Sequence, residues 1–126
     1  MGMYTELKMN VELKQNTSND VICILKYMLH NGIEKPTLPN HLLFTTKRWQ
    51  SMLRCGSAYF STATKSELIY NDMVYLLNIQ CNFKNYSNEL GKFVDWIRPY
   101  IATNGVIGHS HYEEDEEPEL LTNNIA

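Results

Sequence analysis

The chain has 126 residues, enough for one compact domain and too few for two. Hydrophobic residues make up 44% and charged residues 20%, which excludes disorder over most of the length. The net charge of -3 is unevenly placed: eleven Lys and Arg against eight acids leave +3 before position 113, and residues 113–126 carry -6.

The first segment reads as a half-buried strand. Leu7, Met9, Val11 and Leu13 alternate with Glu6, Lys8, Asn10, Glu12 and Lys14. Residues 16–20 offer several helix caps, Thr17 with Asp20 having the spacing of a helix start. Val21, Ile24, Leu25, Met28 and Leu29 then form one apolar helical stripe, and Gly32 is its stop. Pro36 and Pro39 mark a loop reaching Phe44. Thr45 or Thr46 is expected to cap a short helix through Arg54, closed by Cys55-Gly56-Ser57.

A strand is expected to open at Tyr59 and Phe60. Glu67–Tyr70 and Met73–Lys84 read as a hairpin joined at Asn71-Asp72, with Met73, Tyr75, Leu77, Ile79, Cys81 and Phe83 facing one way. Ser87 is the expected cap of a second helix with Leu90, Phe93, Val94, Ile97 and Ile101 as its stripe. Pro99 lacks the N–H required inside a helix and should kink or end its last turn. Val106–Tyr112 follows as the last expected strand.

This order, β-α-β-β-β-α-β with a short helix before the second strand, implies an α+β fold. An antiparallel sheet of four or five strands is covered on one face by two main helices. Residues 1–112 form the expected domain, and 113–126 an acidic C-terminal segment ordered in part at most. The opposite sheet face, with Asn, Gln, Lys and Glu, is either solvated or an interface.

No stretch of about 18 uncharged apolar residues is present, so no membrane span is expected. Glu6 and Lys8 interrupt the start of the chain before a signal-peptide core could form. Cys23, Cys55 and Cys81 are odd in number and far apart, the usage of a reducing compartment, so the expected location is the cytoplasm.

Three clusters are candidates for function. Glu113, Glu114, Asp115, Glu116, Glu117 and Glu119 are either a solvated stretch or a surface for a basic partner. Lys47, Arg48 and Trp49 with Arg54 combine cations and an aromatic, as a nucleotide or single-strand site would; the bland reading packs Trp49 under the sheet edge. His109, His111 and Glu113 share one face of a strand and form a weak metal candidate, since a tetrahedral site needs a further ligand. Nucleotide, nucleophile-elbow and zinc-protease motifs are absent, so no catalytic residue, enzyme activity or cofactor is assigned. Nucleic acid is disfavoured as a partner by the net negative charge.

The run from Cys81 to Ile101, including Lys84-Asn85-Tyr86-Ser87-Asn88-Glu89, Lys92-Phe93 and Trp96-Ile97-Arg98-Pro99-Tyr100, resembles a segment of small proteins encoded by bacteriophages and prophages. Gly108 followed by Tyr112-Glu113-Glu114-Asp115-Glu116-Glu117-Pro118 is similar to the same family, which carries an aromatic further on where this chain has Leu120-Leu121-Thr122. Weaker similarity lies in Leu38-Pro39-Asn40-His41, Arg48-Trp49 and Ser57-Ala58-Tyr59-Phe60. The resemblance implies a phage gene product in a bacterial cytoplasm and brings no activity with it. Two readings stand: an interaction protein that binds a host or phage protein, blocking a host or defence factor through its acidic surface or open sheet face, or a binder of a small ligand or nucleotide at Lys47, Arg48, Trp49 and Arg54. A homodimer is compatible with either.

Overall fold

The computed structural model describes residues 4–30, 34–57, 60 and 63–124. Five antiparallel strands form one sheet: β1 (Tyr4–Glu12), β2 (Glu67–Asn71), β3 (Val74–Lys84), β4 (Gly105–Tyr112) and β5 (Glu119–Asn123). Their spatial order is β2-β3-β1-β4-β5. Helix α1 (Asn19–Met28) follows β1, and α2 (Glu89–Ile97) joins β3 to β4. The α+β class with a five-stranded sheet and two helices is therefore as the sequence implies. No helix among the described residues is long and apolar enough to cross a membrane.

The period-2 pattern of β1 places Leu7, Met9 and Val11 opposite Cys81, Ile79 and Leu77 of β3. All six are buried, and they join Phe83 with the α2 stripe of Leu90, Phe93, Val94 and Ile97 and the α1 stripe of Val21, Ile24, Leu25 and Met28 in one core. Burial of these side chains stabilises the fold by about 1.5–3 kcal/mol each. The other face of the central strands carries Glu6, Lys8 and Asn10 opposite Asn82, Gln80 and Asn78.

Three local expectations change. The hairpin between β2 and β3 turns at Asp72-Met73, one residue later than Asn71-Asp72, because Asn71 pairs with Val74 and Leu68 with Leu77. A one-residue slip would send every β2 side chain to the opposite face. The turn consequently puts two residues other than glycine in the left-handed region, with φ 49° at Asp72 and 67° at Met73. Thr45 and Thr46 do not begin a helix: a 3₁₀ turn spans Leu42–Thr45, and their hydroxyls donate back to Leu42 and Leu43 carbonyls. A second 3₁₀ turn spans Met52–Arg54, so the short helix expected here is two separate turns.

The caps also move. Ser18 precedes α1 without a side-chain cap, while the Thr17 hydroxyl donates to the Lys14 carbonyl. Asn88 caps α2 from a left-handed φ of 54°, its Oδ1 accepting from Gly91 N–H. Asn85 Oδ1 accepts from Leu90 N–H in addition. Pro99 does end α2, which passes into a 3₁₀ turn over Arg98–Tyr100.

The largest departure lies at the end of the chain. Residues 119–123, expected within an acidic segment ordered in part at most, form β5 and pair with β4. Phe60, expected to open a strand, lies outside the sheet, and its predicted neighbour Tyr59, like the stop Gly32, lies outside the described residues.

Candidate functional site

Beside β1, the helix-covered face of β4 is made of small and polar residues. Gly108 stands opposite Met9, Ser110 opposite Leu7 and Tyr112 opposite Thr5. Thr5, Ser110 and Tyr112 line the space beside α2, while Ile107 of β4 is buried in the core. A cleft of about 650 Å³ results, within the ~300–1,000 Å³ range of small-ligand pockets. Leu90, Gly91 and Val94 of α2 form one wall, and Leu121 of β5 lies on the other. Asn85, Tyr86, Tyr112, Asp115 and Glu119 line it as well, and so does Arg98.

Two contacts orient this cleft. Arg98, at the end of α2, donates from Nη2 to the Thr122 carbonyl at 3.2 Å, which fixes it near the far end of β5. Asp115 N–H donates to the Tyr112 carbonyl at 2.9 Å, which fixes the acidic end beside the β4–β5 turn. Burial, then the Glu114, Glu113 and Asp115 carboxylates and Tyr86, raise the Tyr112 phenol above its usual pKa. The phenol therefore stays a neutral donor.

The six carboxylates sit on this hairpin and not on a tail. The connection 113–118 is pinned to β1 at its root: Glu113 N–H donates to the Tyr4 carbonyl at 3.0 Å, and Tyr4 N–H donates to Glu113 Oε1 at 2.9 Å. His111 Nε2 lies 2.8 Å from the Asp115 carbonyl. Glu113 is thus engaged in the fold, while Glu114, Asp115, Glu116, Glu117 and Glu119 are exposed.

The histidine face is assembled differently from a metal centre. His109 Nε2 faces Glu6 Oε1 at 3.5 Å, while His111 and Glu113 are engaged in the backbone contacts just described. The ring of Phe60 packs edge-on to that of His111 at 6.0 Å. Among the described residues no group of three His, Cys, Asp or Glu side chains is placed to hold a metal ion.

The basic cluster is divided among separate tasks. Trp49 is only 3% exposed. Its ring sits edge-on to Phe44 at 4.9 Å and tilted to Tyr27 at 6.0 Å, so it offers no free face to a base. Arg54 Nε donates to the Met28 carbonyl at 2.9 Å, satisfying an acceptor left open at the end of α1. Arg48 stacks on the Tyr86 ring at 5.2 Å, and its Nη1 lies 3.9 Å from Glu89 Oε2. Lys47 alone extends freely into solvent.

Glu89 carries little sequence signal beyond its place in the first turn of α2. It is fully buried, its Oε1 accepting from Ser87 N–H at 3.0 Å and its Oε2 lacking a hydrogen-bond partner. Arg48 supplies the nearby opposite charge, and the same guanidinium lies over the ring of Tyr86, which lines the cleft. No family, curated protein or solved structure matches the chain.

Proposed function

We propose that this is a non-enzymatic interaction protein that binds a basic segment of a partner protein along the acidic hairpin and the adjoining cleft. The observation that carries the reading is the anchored hairpin: five exposed carboxylates stand on a connection tied to β1 and β4, beside a cavity that two of them line. A preorganised charged surface loses little conformational entropy on binding and speeds association with cations. The same charge repels phosphate backbones. Resemblance of residues 81–101 and 108–118 to phage and prophage proteins directs the search for the partner to a bacterial cytoplasm, where occupying a host or defence factor would inhibit it.

The test compares the parent with a variant carrying Glu114→Gln, Asp115→Asn, Glu116→Gln and Glu117→Gln. Each is used to retain proteins from bacterial lysate at increasing salt, with melting recorded for both. The expected result is a partner retained by the parent, released as the screening length falls below about 8 Å, and not retained by the variant. Equal, salt-insensitive retention by both would move the interface to the open sheet face.

A further inference from the structure

We infer that the turn end of the cleft is the seat of one arginine side chain of the partner's basic segment, a reading that rests on the interaction function proposed above. Tyr112, Tyr86, Asp115 and Glu119 all line this cavity. An arginine guanidinium is planar, stacks on an aromatic face and meets a carboxylate through two parallel hydrogen bonds, whereas a lysine ammonium is a compact, strongly hydrated charge. The protein already contains the stacking half of that arrangement: Arg48 lies over the Tyr86 ring at 5.2 Å, with its Nη1 3.9 Å from Glu89 Oε2. Tyr112, which also lines the cavity, supplies a second aromatic ring. Leu90, Val94 and Leu121 supply an apolar bed for the methylene stem.

The other end of the cleft sets a polarity. Arg98 stands near Thr122, and Asp115 stands at the turn. Along β5, Glu119 at the turn end lies three residues from Thr122 beside Arg98, about 10 Å at 3.3 Å per residue, or three residues of extended chain. A second cation at that distance meets Arg98 and is repelled; an acidic residue is attracted. The preferred segment therefore has an arginine and, about three residues away, an acidic residue.

Blocked peptides Arg-Ala-Ala-Glu, Lys-Ala-Ala-Glu and Arg-Ala-Ala-Arg serve as probes, with binding followed by chemical-shift perturbation on the full chain. The parent is expected to prefer the first over each of the others by about ten-fold, the scale of one cation–π contact or one screened charge pair. Tyr112→Leu should abolish the arginine-over-lysine preference while leaving salt-sensitive binding in place. Arg98→Ala should abolish discrimination against Arg-Ala-Ala-Arg. Equal binding of the arginine and lysine peptides, or preferences unchanged in both variants, would overturn the assignment of the cleft. If the fourfold carboxylate variant binds these peptides as the parent does, the interaction reading itself fails; if it loses binding but the parent shows no arginine preference, only the cleft assignment fails.

Discussion

On the helix-covered face, β3 and β4 flank β1 as equivalent neighbours, yet they present opposite surfaces. β3 offers Leu77, Ile79, Cys81 and Phe83, all buried, and burial drives the Cys81 thiol far above its ordinary pKa. β4 offers Gly108, Ser110 and Tyr112 at the corresponding rungs. The first side is packed along its length, whereas the second joins the core at Ile107 and opens into the cleft at Ser110 and Tyr112. Stability comes from one half of the face and a binding cavity from the other, so the two can be perturbed separately.

The sharpest break in that separation is expected on the packed side. Phe93 is fully buried against this core, and Phe93→Ala should cost about 3–5 kcal/mol by chemical denaturation. A melting temperature equal to the parent's would show that α2 is not seated on the β3 half of the sheet. Next comes Gly108, where a Cβ would collide with the Lys8 carbonyl and approach Met9 Cα to 2.8 Å. The colliding atoms are backbone of β1, which cannot rotate away as a side chain could, so Gly108→Ala should cost about 1–3 kcal/mol.

On the hollow side the expected effects on stability are smaller and those on binding larger. Ser110→Leu extends an apolar side chain into the cleft and should leave stability within about 1 kcal/mol of the parent. It should nonetheless abolish binding of the arginine probe, and full retention would place that probe elsewhere. The mildest expectation concerns Tyr112, whose raised phenol keeps its proton after the unfolded chain has begun to lose it. Its contribution is complete below the unfolded tyrosine value of about 10 and is lost as pH climbs through the folded value. An alkaline absorbance titration should show one tyrosine lagging the others, and the fourfold carboxylate variant should shorten that lag.

The packed side is the side that sequence periodicity reveals. Alternation along β1 and β3 and the 3–4 residue spacing of α1 and α2 all describe large apolar residues meeting a common core. The cleft has no such signature, since it forms only where Ser110 falls opposite Leu7 and Tyr112 opposite Thr5 once the strands pair, beside Leu90 and Val94 of α2. β5 was hidden for a related reason: Leu120 and Leu121 are adjacent, one exposed and one half-buried, after Pro118 and a run of acids, so no alternation marks a strand. The six acidic residues were legible as a cluster, but their attachment to a hairpin depends on Tyr4, over a hundred positions away. Likewise Arg48 reads as one member of a basic patch, and only Glu89 and Tyr86 reveal that it is a brace.

The order β2-β3-β1-β4-β5 leaves two outer strands with unpaired backbone groups, and these rims are not equally guarded. Alongside β5, the carboxylates of residues 114–117 and Glu119 make two copies repel one another before their strands could zip together. Along β2 and its turn, the exposed large apolar residues are Ile69, Tyr70 and Met73, the last 75% accessible, and Asp72 is the exposed charge among them. Crowded solutions of this chain would therefore grow, if at all, from the β2 rim, which makes a single lysine at position 69 the natural means of keeping concentrated protein monodisperse while the acidic rim is left untouched.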